Sequence, residues 1–439
     1  MTRQILNSWA GRQLLDQVGD LVQVDNETTG VTVQATLERL LEERPEVTTL
    51  ELLEALPAQK VRLDLDALLD VAASWRLQLE RQLSLVERLG REPVSQRRLV
   101  QATQSSAFAD ARFERWALPV PHRERALQLQ LWLPDTSVEL VRRSWLVLMP
   151  GLGGSPDHFG WLGRALSRNG WPVVVLEHPG SDAVAVQALL EGRRPPPGAE
   201  VLPERLQDLQ EVLSAFERGE LPLSGDQLVL LGHSLGALTA LLASGAQPEP
   251  GLGLRCQRAL DDLPLSNLSR LLQCQIQDVS LPSVVPPPSL AGVVGLNSFG
   301  SLLWPKNVAV ASDVPVLLSG GSLDLITPPI SEQLGLLRAL PPNPGTRVVL
   351  VEGASHFSPV RVEGQSGSQG QDLFQLGEEL VGVQPLQVQA LLEQEILRFL
   401  DRLETGRMVK PGERDAEHVQ VGSLHLYRLN QGAATRLLD

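Results

Sequence analysis

The chain is poor in several residue types that would mark it for particular partners. Only three of its 38 basic residues are lysines, Lys60, Lys306 and Lys410, and the formal net charge is −14. A phosphate backbone demands a basic face, so nucleic acid is not an expected partner, and no polybasic stretch suits an anionic membrane surface. No run of eighteen apolar residues occurs, so no transmembrane segment is expected. Two cysteines without a histidine cluster argue against a structural zinc site, and no metal or other cofactor is expected. The opening residues, Met1-Thr2-Arg3-Gln4-Ile5-Leu6-Asn7, lack the apolar stretch and small-residue cleavage site of an export signal, so the chain as it stands is expected to be cytoplasmic. Cys256 and Cys274 stand eighteen positions apart, a spacing compatible with a disulfide in an oxidising compartment and equally with two free thiols.

What remains is a soluble, globular composition, 43% hydrophobic and 21% charged over 439 residues, enough for two or three domains or for one large domain with insertions. Residues 1–115 read as a helical accessory domain. Leucines recur at helical spacing around Leu37, Leu40 and Leu41, and again along a longer helix expected from roughly Asp66 to Leu89. This segment could form a core of its own or serve as a lid or membrane-facing element. From Trp116 the pattern changes to short β-type runs separated by helical stretches. Alternation at Leu127, Leu129, Leu131 and Leu133 predicts a half-buried strand, and the runs at 145–149, 173–176, 228–231, 293–294, 316–318 and 348–351 predict buried ones. Strands alternating with helices specify an α/β class with a doubly wound, mostly parallel sheet, whose ligands bind at the carboxyl ends of the strands. Residues 246–290 are long enough for a cap insertion, 362–371 read as a flexible loop, a final helix is expected near Val388 to Leu403, and 405–439 read as a short β-type tail.

The most informative run is Gly232-His233-Ser234-Leu235-Gly236. It follows the apolar stretch Leu228-Val229-Leu230-Leu231 and precedes the helix-forming Ala237-Leu238-Thr239-Ala240-Leu241-Leu242-Ala243. A serine hydroxyl becomes a useful nucleophile when a sharp strand-to-helix turn holds it clear of the backbone, facing a base and an oxyanion hole. In that arrangement base and acid follow the serine in the chain. Of the seven histidines, His122, His158 and His178 precede it, His233 lies inside the turn, and His418 and His425 fall in the tail; His356, after the run Val348 to Val351, is the expected base. Asp261, Asp262 and Asp278 fall in the cap region and Asp313 precedes a strand. Asp324, just after Val316-Leu317-Leu318, is the expected acid, able to fix the imidazole tautomer and stabilise its charged form. Leu235 supplies one oxyanion N–H. The loop Pro150-Gly151-Leu152-Gly153-Gly154, expected to bring backbone close to the serine, is expected to supply another from Leu152; a dinucleotide-binding loop is the rival reading, but the run lacks the final glycine of G-x-G-x-x-G.

These motifs, in this order, resemble the α/β-hydrolase superfamily over residues 116–404. The runs Ile5 to Gly11, Val61 to Leu65, Glu177 to Ser181 and Asn267 to Cys274 together resemble cyanobacterial hydrolases that carry an N-terminal domain of unknown function. Such proteins are similar in their catalytic core to lipases, dienelactone hydrolases and platelet-activating-factor acetylhydrolases. The resemblance implies an α/β-hydrolase fold and a Ser-His-Asp carboxylic ester hydrolase carried by Ser234, His356 and Asp324. It departs at Pro150, where such hydrolases usually place histidine before the oxyanion glycine. Relatives also often carry an export signal and further helices upstream, which implies a periplasmic or exported enzyme if the start is internal, with the two cysteines then oxidised. Serine suits acyl transfer. The apolar cap residues Leu263, Leu265, Leu268, Leu271, Leu272 and Leu281 favour a small-molecule or lipid ester with a hydrophobic acyl group. An acyltransferase or phospholipase with the same triad, and a binding protein that keeps the fold without catalysis, are the alternatives; oligomeric state leaves no mark in the sequence.

Overall fold

Among the described residues, four short strands come from the first hundred positions, a stretch that reads as helical: β1 (Val22–Val24), β2 (Glu27–Thr28), β3 (Val61–Leu63) and β4 (Val94–Gln96). The computed structural model describes residues 2–13, 15, 22–24, 27–28, 30–44, 47–58, 61–96, 111–135, 142–260, 267–305, 313–360, 385–408 and 414–439. β1 pairs antiparallel with both β2 and β3 in a small sheet of its own. Beside it lie helices Gly30–Glu43 and Thr49–Ala55, the second started by a capping box in which Thr48 and Glu51 bond each other's backbone N–H groups. Val33 and Leu56 bury together with Leu52, Leu53 and Val61 around them. The long helix runs Leu65–Gly90, started by the Asp64 carboxylate accepting from the Ala67 N–H at 2.9 Å. Leu65, Leu68, Leu69, Leu77 and Leu83 stay exposed, whereas its last turn buries Leu85 and Leu89 in the main core.

The predicted apolar runs become β5 (Arg112–Leu118), β6 (Leu127–Leu133), β7 (Ser144–Met149), β8 (Val173–Leu176), β9 (Gln227–His233), β10 (Leu290–Leu296), β11 (Val316–Gly321) and β12 (Arg347–Val351). The chain end adds β13 (Ala416–Val421) and β14 (Leu424–Leu429). All eleven from β4 to β14 form one sheet, in the order β4-β13-β14-β12-β11-β10-β9-β7-β8-β6-β5. The pairings from β8 to β12 are parallel. The flanks are not: β6 runs antiparallel to β5 and β8, and β14 antiparallel to β12 and β13. The sheet is therefore mixed, parallel through its centre as expected and interrupted by antiparallel pairings on both flanks, which the expectation did not include. Hairpin connections at both ends reverse direction without the helical crossover that parallel neighbours require.

Within β7, Trp145, Val147 and Met149 enter one apolar cluster and Leu146 and Leu148 another, as side chains alternate across the sheet. Helices Leu202–Glu217, Leu235–Ala243 and Gln333–Ala339 cover the first face; Gly160–Arg168 and Pro385–Thr405 cover the second. Having helices on both faces is the doubly wound arrangement. β6 is buried almost throughout rather than on one side, because Gln130 bonds the Asp157 carboxylate and Trp132 lies against Gly163 of the covering helix.

The tail read as an appendage extends the main sheet. β14 lies beside β12, the Glu352 N–H donates to the His425 carbonyl at 2.9 Å, and the Tyr427 hydroxyl donates to Glu352 at 2.7 Å. β4 then pairs with β13, and Arg88 donates to the carbonyls of Arg436 and Leu437, so contacts cross between the two ends of the chain. In the region read as a cap, helices Leu252–Leu260 and Ser269–Gln275 are joined by a Cys256–Cys274 disulfide with a Cα–Cα separation of 5.4 Å. Asp261, Asp262, Leu263, Leu265 and the loop 362–371 lie outside the described residues. Among the described residues no helix is long and apolar enough to cross a membrane.

Candidate active site

Ser234 directly follows β9, near the middle of the sheet, and caps the start of the helix Leu235–Ala243. Its φ of 51° and ψ of −117° put a non-glycine residue in the left-handed half of backbone space, a strain characteristic of functional turns. The turn closes because its flanking glycines lack side chains. A Cβ on Gly232 would overlap the backbone of Gly236, and one on Gly236 would overlap the Met149 carbonyl. The Ser234 N–H donates to the Leu296 carbonyl at 2.8 Å, and its carbonyl accepts the first helical bond from the Leu238 N–H at 3.1 Å. The N–H groups of Leu235, Gly236 and Ala237 are thus first-turn donors without acceptors inside the helix.

The loop after β7 faces this turn: a Cβ placed on Gly151 would stand 3.0 Å from the Ser234 Cβ. Within the loop, the Gly153 N–H donates to the Ser181 carbonyl at 2.7 Å and the Gly154 N–H to the Gly151 carbonyl at 3.1 Å. Those two donors are occupied, which leaves Leu152, half-buried against the main core, as the donor to consider.

Asp324 and His356 lie side by side. His356 Nδ1 lies 3.0 Å from Asp324 Oδ2. Asp324 is fully buried, and every described contact holds it as an anion. Oδ2 accepts from Asn297 Nδ2 at 2.8 Å and the Thr327 hydroxyl at 2.6 Å; Oδ1 accepts from the N–H groups of Ile326 and Thr327 at 2.9 and 2.8 Å. Burial pushes the carboxyl up, but His356 and the Thr327 bonds outweigh it and hold it below the usual carboxylate range. The loop carrying His356 is tied to the serine turn by His233, whose Nε2 lies 2.9 Å from the His356 carbonyl, with ring centroids 5.0 Å apart. Burial first, then His356, lowers the His233 pKa to about 3, so its ring is neutral and Nε2 carries the donated proton. The structure thus gathers Ser234, Leu235, Leu152, Asp324 and His356 at the carboxyl ends of β7, β9, β11 and β12.

Three residues that sequence reasoning passed over also hold this cluster. Asn297, at φ 48° after β10, reaches Asp324 and the Ser355 carbonyl. Thr327 caps the same carboxylate. Glu332, fully buried, accepts from Asn267 Nδ2 at 2.6 Å, the Ser301 hydroxyl at 2.7 Å and the N–H groups of Gly300 and Ser301, which fastens the segment around Asn267 beside the Asp324 loop. The spacing Asp324-x-x-Thr327 was the one local signal available. The remaining histidines sit elsewhere. His122 and His178 contact Asp208, His158 caps the turn after Ser155, and His418 pairs with His425 at 2.7 Å. A cavity of about 580 Å³ between Phe113, Arg115, Trp132 and Arg164 shares no lining residue with the Ser234 cluster. Among the described residues no group of three histidine, cysteine or acidic side chains could hold a metal ion.

Residues 1–64 match the family described as "Alpha/beta hydrolase of unknown function (DUF1400)". No curated protein matches the chain. The family match covers 64 of the 439 residues, and its description agrees with a central eleven-stranded sheet flanked by helices.

Proposed function

We propose that the protein is a serine hydrolase that cleaves carboxylic esters through an acyl-enzyme. The observation that carries this reading is the strained Ser234 turn tied, through His233, to a loop whose His356 is held by a buried carboxylate. Ser234 Oγ attacks the ester carbonyl while His356 Nε2 takes its proton. Asp324, bonded to the Nδ1 proton, fixes the tautomer that leaves Nε2 free to accept, and stabilises the imidazolium that results. The Leu235 and Leu152 N–H groups bind the developing oxyanion. Loss of the alcohol, protonated by His356, leaves an acyl group on Ser234, and water activated by the same imidazole releases the acid.

An apolar acyl group fits the rim. Leu323 and Leu325 flank Asp324 and are exposed, and Leu268, also exposed, comes from the neighbouring segment, its N–H directed at the Leu325 carbonyl. Fluorophosphonate labelling of the wild type beside Ser234→Ala, followed by hydrolysis of p-nitrophenyl esters of rising acyl length, tests the reading. Labelling that vanishes in the variant, with activity persisting into longer chains, is expected. Equal labelling of the two proteins, or none of either, overturns it.

A further inference from the structure

Arg205, on the helix Leu202–Glu217, is 1% exposed, and its described hydrogen bonds go to residues other than Ser234, His356 and Asp324. Its guanidinium nevertheless touches both segments that flank the serine. One nitrogen donates to the Pro150 carbonyl, two residues before Leu152; a second donates to the Ser181 hydroxyl at 2.8 Å; Nε donates to the Thr239 hydroxyl at 3.2 Å. Each partner leads on to the oxyanion donors. The Thr239 hydroxyl donates to the Leu235 carbonyl at 2.8 Å, and the Ser181 carbonyl accepts from the Gly153 N–H at 2.7 Å. One rigid planar cation thus connects the loop after β7 with Thr239 of the serine helix and, through the Thr239 hydroxyl, with Leu235.

We propose that Arg205 is a positioning residue that sets the separation of the two N–H groups, Leu152 and Leu235, forming the oxyanion hole. The inference rests on the reading of Ser234 as a nucleophile for its catalytic consequence, and on geometry alone for its structural one. Placing a charge here is costly, which is why it is paired: burial lowers the Arg205 pKa to about 9, and the nearby Asp208 carboxylate opposes that. Asp208 is itself engaged by His178 at 3.0 Å, His122 at 2.7 Å and Arg123 at 2.8 Å, so the cation rests on a buried polar cluster rather than on solvent. Lysine replaces it only in part, since one compact ammonium lacks the spread of a guanidinium whose three nitrogens reach three separate partners.

Two readouts test this on the full chain. Hydrogen exchange of the 149–155 segment, compared between wild type and Arg205→Met, is expected to speed up by about tenfold in the variant as the Gly153 bond loses its support, with β7 and β9 unchanged. In ester hydrolysis, kcat is expected to fall about 10²-fold, the scale of one oxyanion donor. KM should stay within about twofold and the acid limb of the pH profile unmoved, because His356 and Asp324 are untouched. Arg205→Lys falls between the two proteins. Should Arg205→Met not fold, Ser181→Ala and Thr239→Val each remove one acceptor while leaving the cation in place, and each is expected to shift the same readouts in the same direction. Unchanged exchange, or a loss of activity carried by KM, overturns the inference. A wild type that neither labels nor hydrolyses esters overturns the proposed function instead, and the exchange comparison still decides the role of Arg205.

Discussion

His233 Nε2 stands 2.9 Å from the backbone carbonyl of His356, so the residue before the serine and the loop of the candidate base are joined by one direct hydrogen bond. His233→Ala removes that bond and leaves a buried carbonyl unsatisfied. The variant is expected to fold and to react with fluorophosphonate about 10²-fold more slowly, the cost of a small misplacement of reacting groups. Stopped-flow or gel-based labelling rates measure this, and an unchanged rate contradicts it.

Acid sensitivity follows from two neutral histidines. Burial, then Arg205, lowers His178 to about 4, and burial, then His356, lowers His233 to about 3, both from an ordinary value of 6.5. Below pH 6.5 the unfolded chain takes up protons that the folded chain refuses, so stability is level above 6.5 and falls beneath it. The loss reaches about 1.4 kcal/mol per pH unit for each group and continues to about pH 4 for His178 and about pH 3 for His233. Urea midpoints between pH 7 and 5 should fall steeply in the wild type and less so in His178→Gln. Parallel slopes would remove the explanation.

Asp324→Asn keeps the shape of the acid and loses its charge, and an amide can present the wrong partner to His356 Nδ1. A fall of about 10⁴ in kcat is expected, as when a triad acid elsewhere is amidated. Steady-state kinetics on a p-nitrophenyl ester decides it. A loss below tenfold would dismiss the carboxylate from the mechanism.

The Cys256–Cys274 disulfide closes a loop of sequence separation 18 between helices Leu252–Leu260 and Ser269–Gln275. Cross-linking a loop of that size stabilises by about 3 kcal/mol in the chain-entropy description. Adding reductant should lower the urea midpoint of the wild type and leave the Cys256→Ser/Cys274→Ser double variant, already lowered, where it is. A midpoint indifferent to reductant in both would show that the bond does not stabilise the fold.

The parts legible in the sequence are those whose signal is local. An apolar run, two glycines at fixed distance from a serine and a helix-forming stretch together identify β9, the turn and the helix that follows, and the same logic places Asp324 and His356 after β11 and β12. What escaped depends on partners distant in the chain. β1, β2 and β3 are two or three residues long and gain their identity only from pairing with one another. Asn297 carries no motif and is recognisable solely by the carboxylate it meets. Arg205 looks like any charge on an amphipathic helix until the fold brings Pro150, Ser181 and Thr239 around it. The antiparallel flanks of the sheet likewise follow from pairing, which composition and period do not encode.

The position of β14 beside β12 sets a timetable for synthesis. The loop bearing His356 springs from β12, and until residues 424–429 emerge from the ribosome β12 has β11 on one side and a bare edge on the other. Ser234 and its turn are made nearly two hundred residues earlier, yet the strand that carries their partner is not enclosed until translation has passed Leu429. A chain cut short before the last hairpin therefore keeps the Ser234 turn but lacks the strand that covers this edge of β12, from which the His356 loop springs.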